Sequence, residues 1–190
     1  MTLLCHAPTA ATREAAFPAD EPLDAKGRTA AVALAGRVAK ASCVLTSPAK
    51  RATQTAAAMG LRPRTEDALR DCDYGRWAGF SLADIAEAEP EAVARWLADP
   101  DAAPHGGESM TALVGRVAGW LGSGGIKGRT LAVTHAAVMR AAVVHVLGAP
   151  VRSFWRLDVV PLSIIELRRN GLQWSLHASQ ITSVGPAKKA

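Results

Sequence analysis

No apolar run in this chain approaches the roughly 20 residues that a membrane-spanning helix needs, and Met1 to His6 has neither the basic start nor the long apolar core of a secretion signal. Those two absences predict a cytoplasmic protein without a membrane partner. Cysteine is scarce as well. Cys5, Cys43 and Cys72 are an odd number with no paired spacing such as C-x-x-C, which argues against a disulfide framework or a zinc ribbon and predicts reduced thiols, no metal and no cofactor. Aromatic residues make up only 5% of the chain and do not alternate with Lys/Arg clusters, so the net charge of +5 builds no stripe for nucleic acid. A charge of that size does favour small anions. Oligomeric state is not written in any of these features.

What is present suits an ordinary globular fold: 190 residues, 49% of them hydrophobic and 21% charged, are enough for one substantial core and too few to expect two. The expected domain spans 1–180, with 181–190 a flexible, solvated tail in which Lys188 and Lys189 follow Gly185-Pro186. Met1–Cys5 reads as a strand, Ala25–Ala41 as a helix and Ser42–Thr46 as a second strand. Pro48 suits the first turn of a helix carried by Ala52–Met59 and ended by Gly60. A loop from Arg70 to Gly79 leads to short helices near Ser81–Glu89 and Glu91–Ala98, split by Pro90. Ser109 caps a helix reaching about Leu121, Leu131–Thr134 is a strand covered on both faces, and Val138–Leu147 is the next helix. Leu162–Leu167 and Leu172–Leu176 form a terminal hairpin across Asn170-Gly171. Strands alternating with helices predict a three-layer α/β/α sandwich, with a mainly parallel central sheet and an antiparallel edge.

Three segments carry chemistry. Leu3-Leu4-Cys5-His6-Ala7-Pro8-Thr9 and Leu131-Ala132-Val133-Thr134-His135-Ala136 are each an apolar strand that ends in a histidine shortly before a helix. Between them, Leu45-Thr46-Ser47-Pro48-Ala49-Lys50-Arg51-Ala52-Thr53-Gln54-Thr55-Ala56 runs from a strand through a turn into a helix. Open α/β sheets bind ligands beyond the carboxyl ends of their strands, so His6, Arg51 and His135 are expected to share one crevice. An imidazole nucleophile, a planar guanidinium for two oxygens and a second imidazole are the parts that phosphoryl transfer uses.

In this order the segments resemble the histidine phosphatase superfamily, the group that includes the cofactor-dependent phosphoglycerate mutases. The resemblance implies that fold, and hydrolysis of a small phosphorylated substrate through a phosphohistidine on His6. It makes Arg51 and His135 contacts of the phosphoryl group, where a His135 that is charged would stabilise the developing negative charge. It aligns Asp71, in Asp71-Cys72-Asp73-Tyr74-Gly75-Arg76-Trp77-Ala78-Gly79, with the family's acidic glutamate, Asp73 being the neighbour that could substitute. Thr9 and Thr12 match positions near the phosphate, and Glu108 in Gly107-Glu108-Ser109 matches a residue that supports the pocket. The mutases of the family are longer and carry larger insertions where this chain has Ser81 to Pro104, which favours a phosphatase.

The first motif departs from the family, where the histidine stands between an arginine and a glycine. Here Cys5 and Ala7 flank it. One phosphate-binding arginine is missing, and Arg13 is the nearest spare charge. Without that arginine, His6 is expected to hold its proton to higher pH. The same departure supports a second reading, a catalytically weakened protein that binds a phosphorylated ligand. A cysteine phosphatase would need an arginine six residues after its thiol, but that position after Cys5 is Ala11, and the arginines after Cys43 and Cys72 are Arg51 and Arg76. A metal set of Cys5, His6, His135 and Cys72 would need only spatial convergence and stays a minor alternative to the phosphatase reading. His105, His145 and His177 are read as structural or solvated.

Overall fold

A computed structural model describes residues 1–38, 41–126, 128–171 and 173–177; the expected tail lies outside the described residues. In chain order the elements are β1 (Thr2–Cys5), α1 (Ala10–Arg13), α2 (Ala25–Leu34), β2 (Cys43–Thr46), α3 (Lys50–Ala58), β3 (Arg64–Thr65), α4 (Leu82–Ala88) and α5 (Pro90–Ala98). They continue with α6 (Met110–Gly122), β4 (Thr130–Thr134), α7 (Ala136–Val146), β5 (Ile164–Asn170) and β6 (Gln173–His177). The six strands form one sheet in the order β3-β2-β4-β1-β5-β6. Its β3, β2, β4 and β1 run parallel, and β5 and β6 add an antiparallel edge. The expected sandwich is the one observed.

Because strand side chains alternate between faces, β1 sends Leu3 and Cys5 into one core and Leu4 into the other. The first core is closed by α6 and α7 through Leu113, Val117, Val138 and Ala142. The second is closed by α2 and α3 through Ala31, Ala52 and Ala56. Small residues on α3 bring it close to the sheet. All five residues of β4 are buried, which is why this strand reads as apolar without alternation.

Several boundaries differ from the sequence reading for local reasons. The first long helix stops at Leu34 rather than Ala41, ahead of Gly36 at φ +79°, a left-handed position that ends helices. Helix α3 starts at Lys50 with Ala49 at its cap, so Pro48 lies in the turn before the helix and not in its first turn. Helix α7 starts two residues earlier than expected, which makes His135 its capping position. The hairpin is shifted to Ile164–Asn170 and Gln173–His177; Leu172 lies outside the described residues. Pro90 begins α5, where its missing N–H costs nothing.

The loop after β3 is clamped from behind. Glu108 N–H donates to Asp73 O at 2.7 Å and Arg76 N–H to His105 O at 3.0 Å, drawing the segment around 71–76 against that around 105–108. Backbone meets backbone so closely that a Cβ on Gly107 would run into Asp73 O, and one on Gly75, already at φ +49°, into His105 O. Two glycines thereby fix how the loop carrying Asp71 faces the sheet.

Candidate active site

Register places the two histidines side by side. Cys5 pairs with Thr134 on the adjacent parallel strands, so the next residue of each strand, His6 and His135, emerges at the same carboxyl edge. Their ring centroids are 5.2 Å apart and the planes are inclined at 60°. Thr46 pairs with Val133 on the other side of β4, and Ser47 N–H continues that ladder to Val133 O at 2.9 Å. The chain then turns at Pro48 into α3, whose first turn brings in Arg51, 3% exposed.

His6 is held in one tautomer. Its Nδ1 lies 2.7 Å from the carbonyl of Ala7, an atom that only accepts, so Nδ1 carries the proton and Nε2 the lone pair. Burial pushes the pKa of His6 below its ordinary value, and Arg51 pushes the same way, against the Ala7 hydrogen bond and the carboxylates of Asp71 and Glu21. His6 is therefore neutral without help from an arginine at position 5. Burial thus does what a neighbouring positive charge would do, and an arginine at position 5 would push the same way, which keeps the shift expected of Cys5→Arg a matter for mutation.

Asp71, rather than Asp73, reaches the histidines. Its Oδ2 accepts from Arg51 Nη2 at 2.7 Å and lies 3.2 Å from His135 Nδ1, while Oδ1 accepts from Cys72 N–H at 2.9 Å. Burial raises the Asp71 carboxyl, but the charges that His135, Arg51 and His6 carry in the acid range where it titrates together pull harder and hold it below the usual carboxylate range. His135 Nε2 sits 2.7 Å from Ser47 Oγ. Burial pushes His135 down to about 3, against the pull of Asp71, so this ring is neutral through the physiological range. It can offer a hydrogen bond, and the condition for acting by charge is not met. Although His135 occupies the cap of α7, its side chain makes no capping bond.

The remaining candidates divide. Thr12 lines the cavity with His6, Arg51 and Asp71, but its hydroxyl is committed to Thr9 O at 2.8 Å. Thr9 is fully buried, caps α1 and donates to Glu21 Oε1 at 2.9 Å. Arg13 is turned onto Asp24 and is not part of the cavity wall. Asp73 accepts from Gly75 N–H at 2.8 Å in an exposed turn. Cys5 is packed into the core, and burial first, then the Asp71 carboxylate, pushes its thiol up to about 12, far from the thiolate a nucleophile requires. Among the described residues, no group of three or more His, Cys, Asp or Glu could hold a metal ion. Glu108 is not among the residues lining the cavity, and its two oxygens accept from Arg116 at 2.7 and 2.8 Å. Arg116 in turn donates to the carbonyls of Ala68, Arg70 and Asp71, pinning the loop that presents the carboxylate.

Four residues of the site were not singled out from the sequence: Ser47, Thr55, Glu21 and Arg140. Thr55 Oγ accepts from Ala7 N–H at 2.9 Å and donates to Arg51 O at 2.6 Å, tying the His6 loop to α3. Glu21 is fixed by Thr9 and by Ala19 N–H at 3.0 Å. Arg140 was legible in one respect, as a lone charge in the apolar run Ala136-Ala137-Val138-Met139-Arg140-Ala141-Ala142-Val143-Val144. The cavity holding His6 has a volume of about 200 Å³. A second hollow of about 300 Å³, which includes Arg70 in its wall, shares Pro18, Arg51 and Asp71 with it.

Three buried histidines with lowered pKa make the fold acid-sensitive, His6 and His135 in the site and His105 in the clamp. The unfolded chain protonates them below about pH 6.5, whereas the folded chain resists until the lowered pKa is reached. Their stabilisation is complete above about pH 6.5 and is lost as the pH falls toward the folded value, about 3 for His135. Each can contribute up to about 1.4 kcal/mol per pH unit in that window. We expect the melting temperature to drop by several degrees per unit between pH 6.5 and 4, and His135→Asn to flatten the curve. A melting temperature constant over that range would show that the folded protein protonates these rings as readily as the unfolded chain does.

Residues 1–182 match the Histidine phosphatase superfamily (branch 1). The chain is 33% identical over 149 residues to the glucosyl-3-phosphoglycerate phosphatase of Mycolicibacterium vanbaalenii, covering 70% of this chain and 66% of that relative. It is 34% identical over 139 residues to a bifunctional protein of Mycobacterium tuberculosis, covering 68% of this chain but only 38% of that one. The structure of mycobacterial glucosyl-3-phosphoglycerate phosphatase in complex with VO3 superimposes with a TM-score of 0.81 at 26% identity, over 93% of this chain and 96% of the other. A mutant phosphoserine phosphatase from Entamoeba histolytica, in complex with phosphoserine, shares the fold at 15% identity with a TM-score of 0.83, over 93% and 94% of the two chains.

Proposed function

The chain belongs to the histidine phosphatase superfamily, branch 1, and from that membership we propose that it hydrolyses a small anionic phosphomonoester through a phosphohistidine on His6. The observation that carries the proposal is the state of His6. Its Nδ1–H is tied to Ala7 O and its pKa is lowered, which leaves a neutral ring with Nε2 as the attacking nitrogen on a wall shared with Arg51 and Asp71.

In this reading Nε2 forms the bond to phosphorus as the ester P–O bond breaks, and the electron pair of that bond leaves with the alcohol oxygen. Asp71 supplies the proton that turns the leaving oxygen into a hydroxyl. A phosphate monoester has a second pKa near 6, so a monoanionic substrate can bring in the proton that the free carboxyl, held low by its neighbours, lacks. Arg51, drawn onto phosphate oxygens, releases Asp71 and raises its pKa. Water then attacks phosphorus and gives its proton to the Asp71 carboxylate, and the P–N bond breaks to return His6 and inorganic phosphate. His135 orients by hydrogen bonding, and a neutral ring suits that task.

The second hollow beside Arg51 and Asp71 has room for a leaving group of sugar size. Glucosyl-3-phosphoglycerate, named for the mycobacterial relatives, is the first ester to test. One observation favours a second reading, a weakened protein that binds a phosphorylated ligand: Cys5 contributes no donor where the family has an arginine, and losing one preorganised donor typically costs about 10²- to 10³-fold in rate. A screen of phosphate esters for release of inorganic phosphate, with vanadate binding measured alongside, separates the two. Turnover with vanadate binding supports hydrolysis, binding without turnover supports the second reading, and neither one sinks both.

A further inference from the structure

Cys5 is 1% exposed in the core, so position 5 sends no donor toward the phosphoryl group. The charged residues lining the cavity are Arg51, Arg140, Asp71 and Glu21. Without Arg140, one guanidinium would face two carboxylates, a balance that repels an anion. We propose that Arg140 replaces the arginine missing at position 5 and binds the phosphoryl group together with Arg51; this rests on reading the cavity as a phosphoryl site.

Arg140 lies one helical turn beyond Ala136 and Ala137, and all three line the cavity. Side chains on a helix lean toward its N-terminus. The long arginine stem therefore runs back toward the strand ends, over two residues that offer nothing larger than a methyl group. Its guanidinium rests over the Phe154 ring at 5.6 Å, a contact that orients it without consuming N–H donors. Its Nε is buried without a partner. The carboxylate nearest to it, Asp158, is 4.0 Å away and 89% exposed, a pairing worth little in water. A cation at this place is also felt at Cys5, where it opposes the rise of the thiol. Arg13, the candidate suggested by the sequence, is already taken by Asp24.

The test is calorimetric titration of inorganic phosphate into the wild type, Arg140→Ala, Arg140→Lys, Asp158→Asn and Arg51→Ala, each checked for folding by thermal melting. Losing a charged hydrogen-bond donor weakens binding by about 10- to 100-fold. We expect that loss for Arg140→Ala, a smaller one for Arg140→Lys, and none for Asp158→Asn. If Arg140→Ala does not fold, Arg140→Gln is read in its place. Wild-type affinity in the Arg140 variant, or a loss in Asp158→Asn as large as that in Arg140→Ala, overturns the assignment. Arg51→Ala separates the two levels of argument. If it too binds phosphate like the wild type, the phosphoryl-site reading falls; if it alone loses affinity, only the role of Arg140 does.

Discussion

Replacing His6 by alanine is expected to lower phosphate-ester turnover by about 10⁴-fold or more, the scale on which removing a covalent nucleophile usually acts. The fold should tolerate the change. The backbone N–H of His6 keeps its bond to Thr134 O at 2.8 Å, and the lost side-chain bond to Ala7 is local. The second readout is the intermediate itself. With a labelled ester and an alkaline quench, the wild type should carry phosphate that mild acid releases, and His6→Ala should carry none. Turnover surviving at the wild-type level, or label mapping to Cys5, would reject His6 as the nucleophile. A thiol pushed up to about 12 makes the second of those a demanding alternative.

Asp71→Asn is the substitution with the next largest expected effect, and its interpretation depends on choosing the ester. A general acid typically contributes 10²- to 10⁴-fold when the leaving group needs a proton. An alkyl phosphate should lose that much in the variant. An aryl phosphate, whose phenolate leaves without a proton, should lose far less in its first turnover and then stall, because the phosphoenzyme no longer has a base to activate water. Asp71 also pairs with Arg51, which is 3% exposed, and breaking a buried pair by removing one charge costs about 3–5 kcal/mol. A fall in stability is thus expected whatever the chemistry, which is why the ratio between the two esters is the quantity to read. Equal losses with both esters would make Asp71 a partner of Arg51 and no acid.

The strand-end histidines and Arg51 were legible because their signals are local. An apolar run followed by a turn and a helix gives the carboxyl end of a parallel strand, and a polar residue at that point has nowhere to face but the crevice. The choice between Asp71 and Asp73 was not of that kind. Both sit in one loop, and what selects Asp71 is the clamp between 73–76 and 105–108, with Arg116 holding three carbonyls of that loop from a helix far along the chain. The Ala25–Ala41 helix failed for a smaller reason, since periodicity continued past a glycine whose backbone turned left-handed.

The amino-acid order alone determined the family, the layered α/β architecture and the order of the residues around the crevice, because each follows from patterns a few residues long. Tertiary structure decided the charges. Whether His6 and His135 carry protons, whether Cys5 is a thiol or a thiolate, and whether Arg13 or Arg140 lines the cavity of His6 all depend on burial and on neighbours brought in from other elements. Desolvation, which sets those protonation states, is a property of the packed interior and of no single segment.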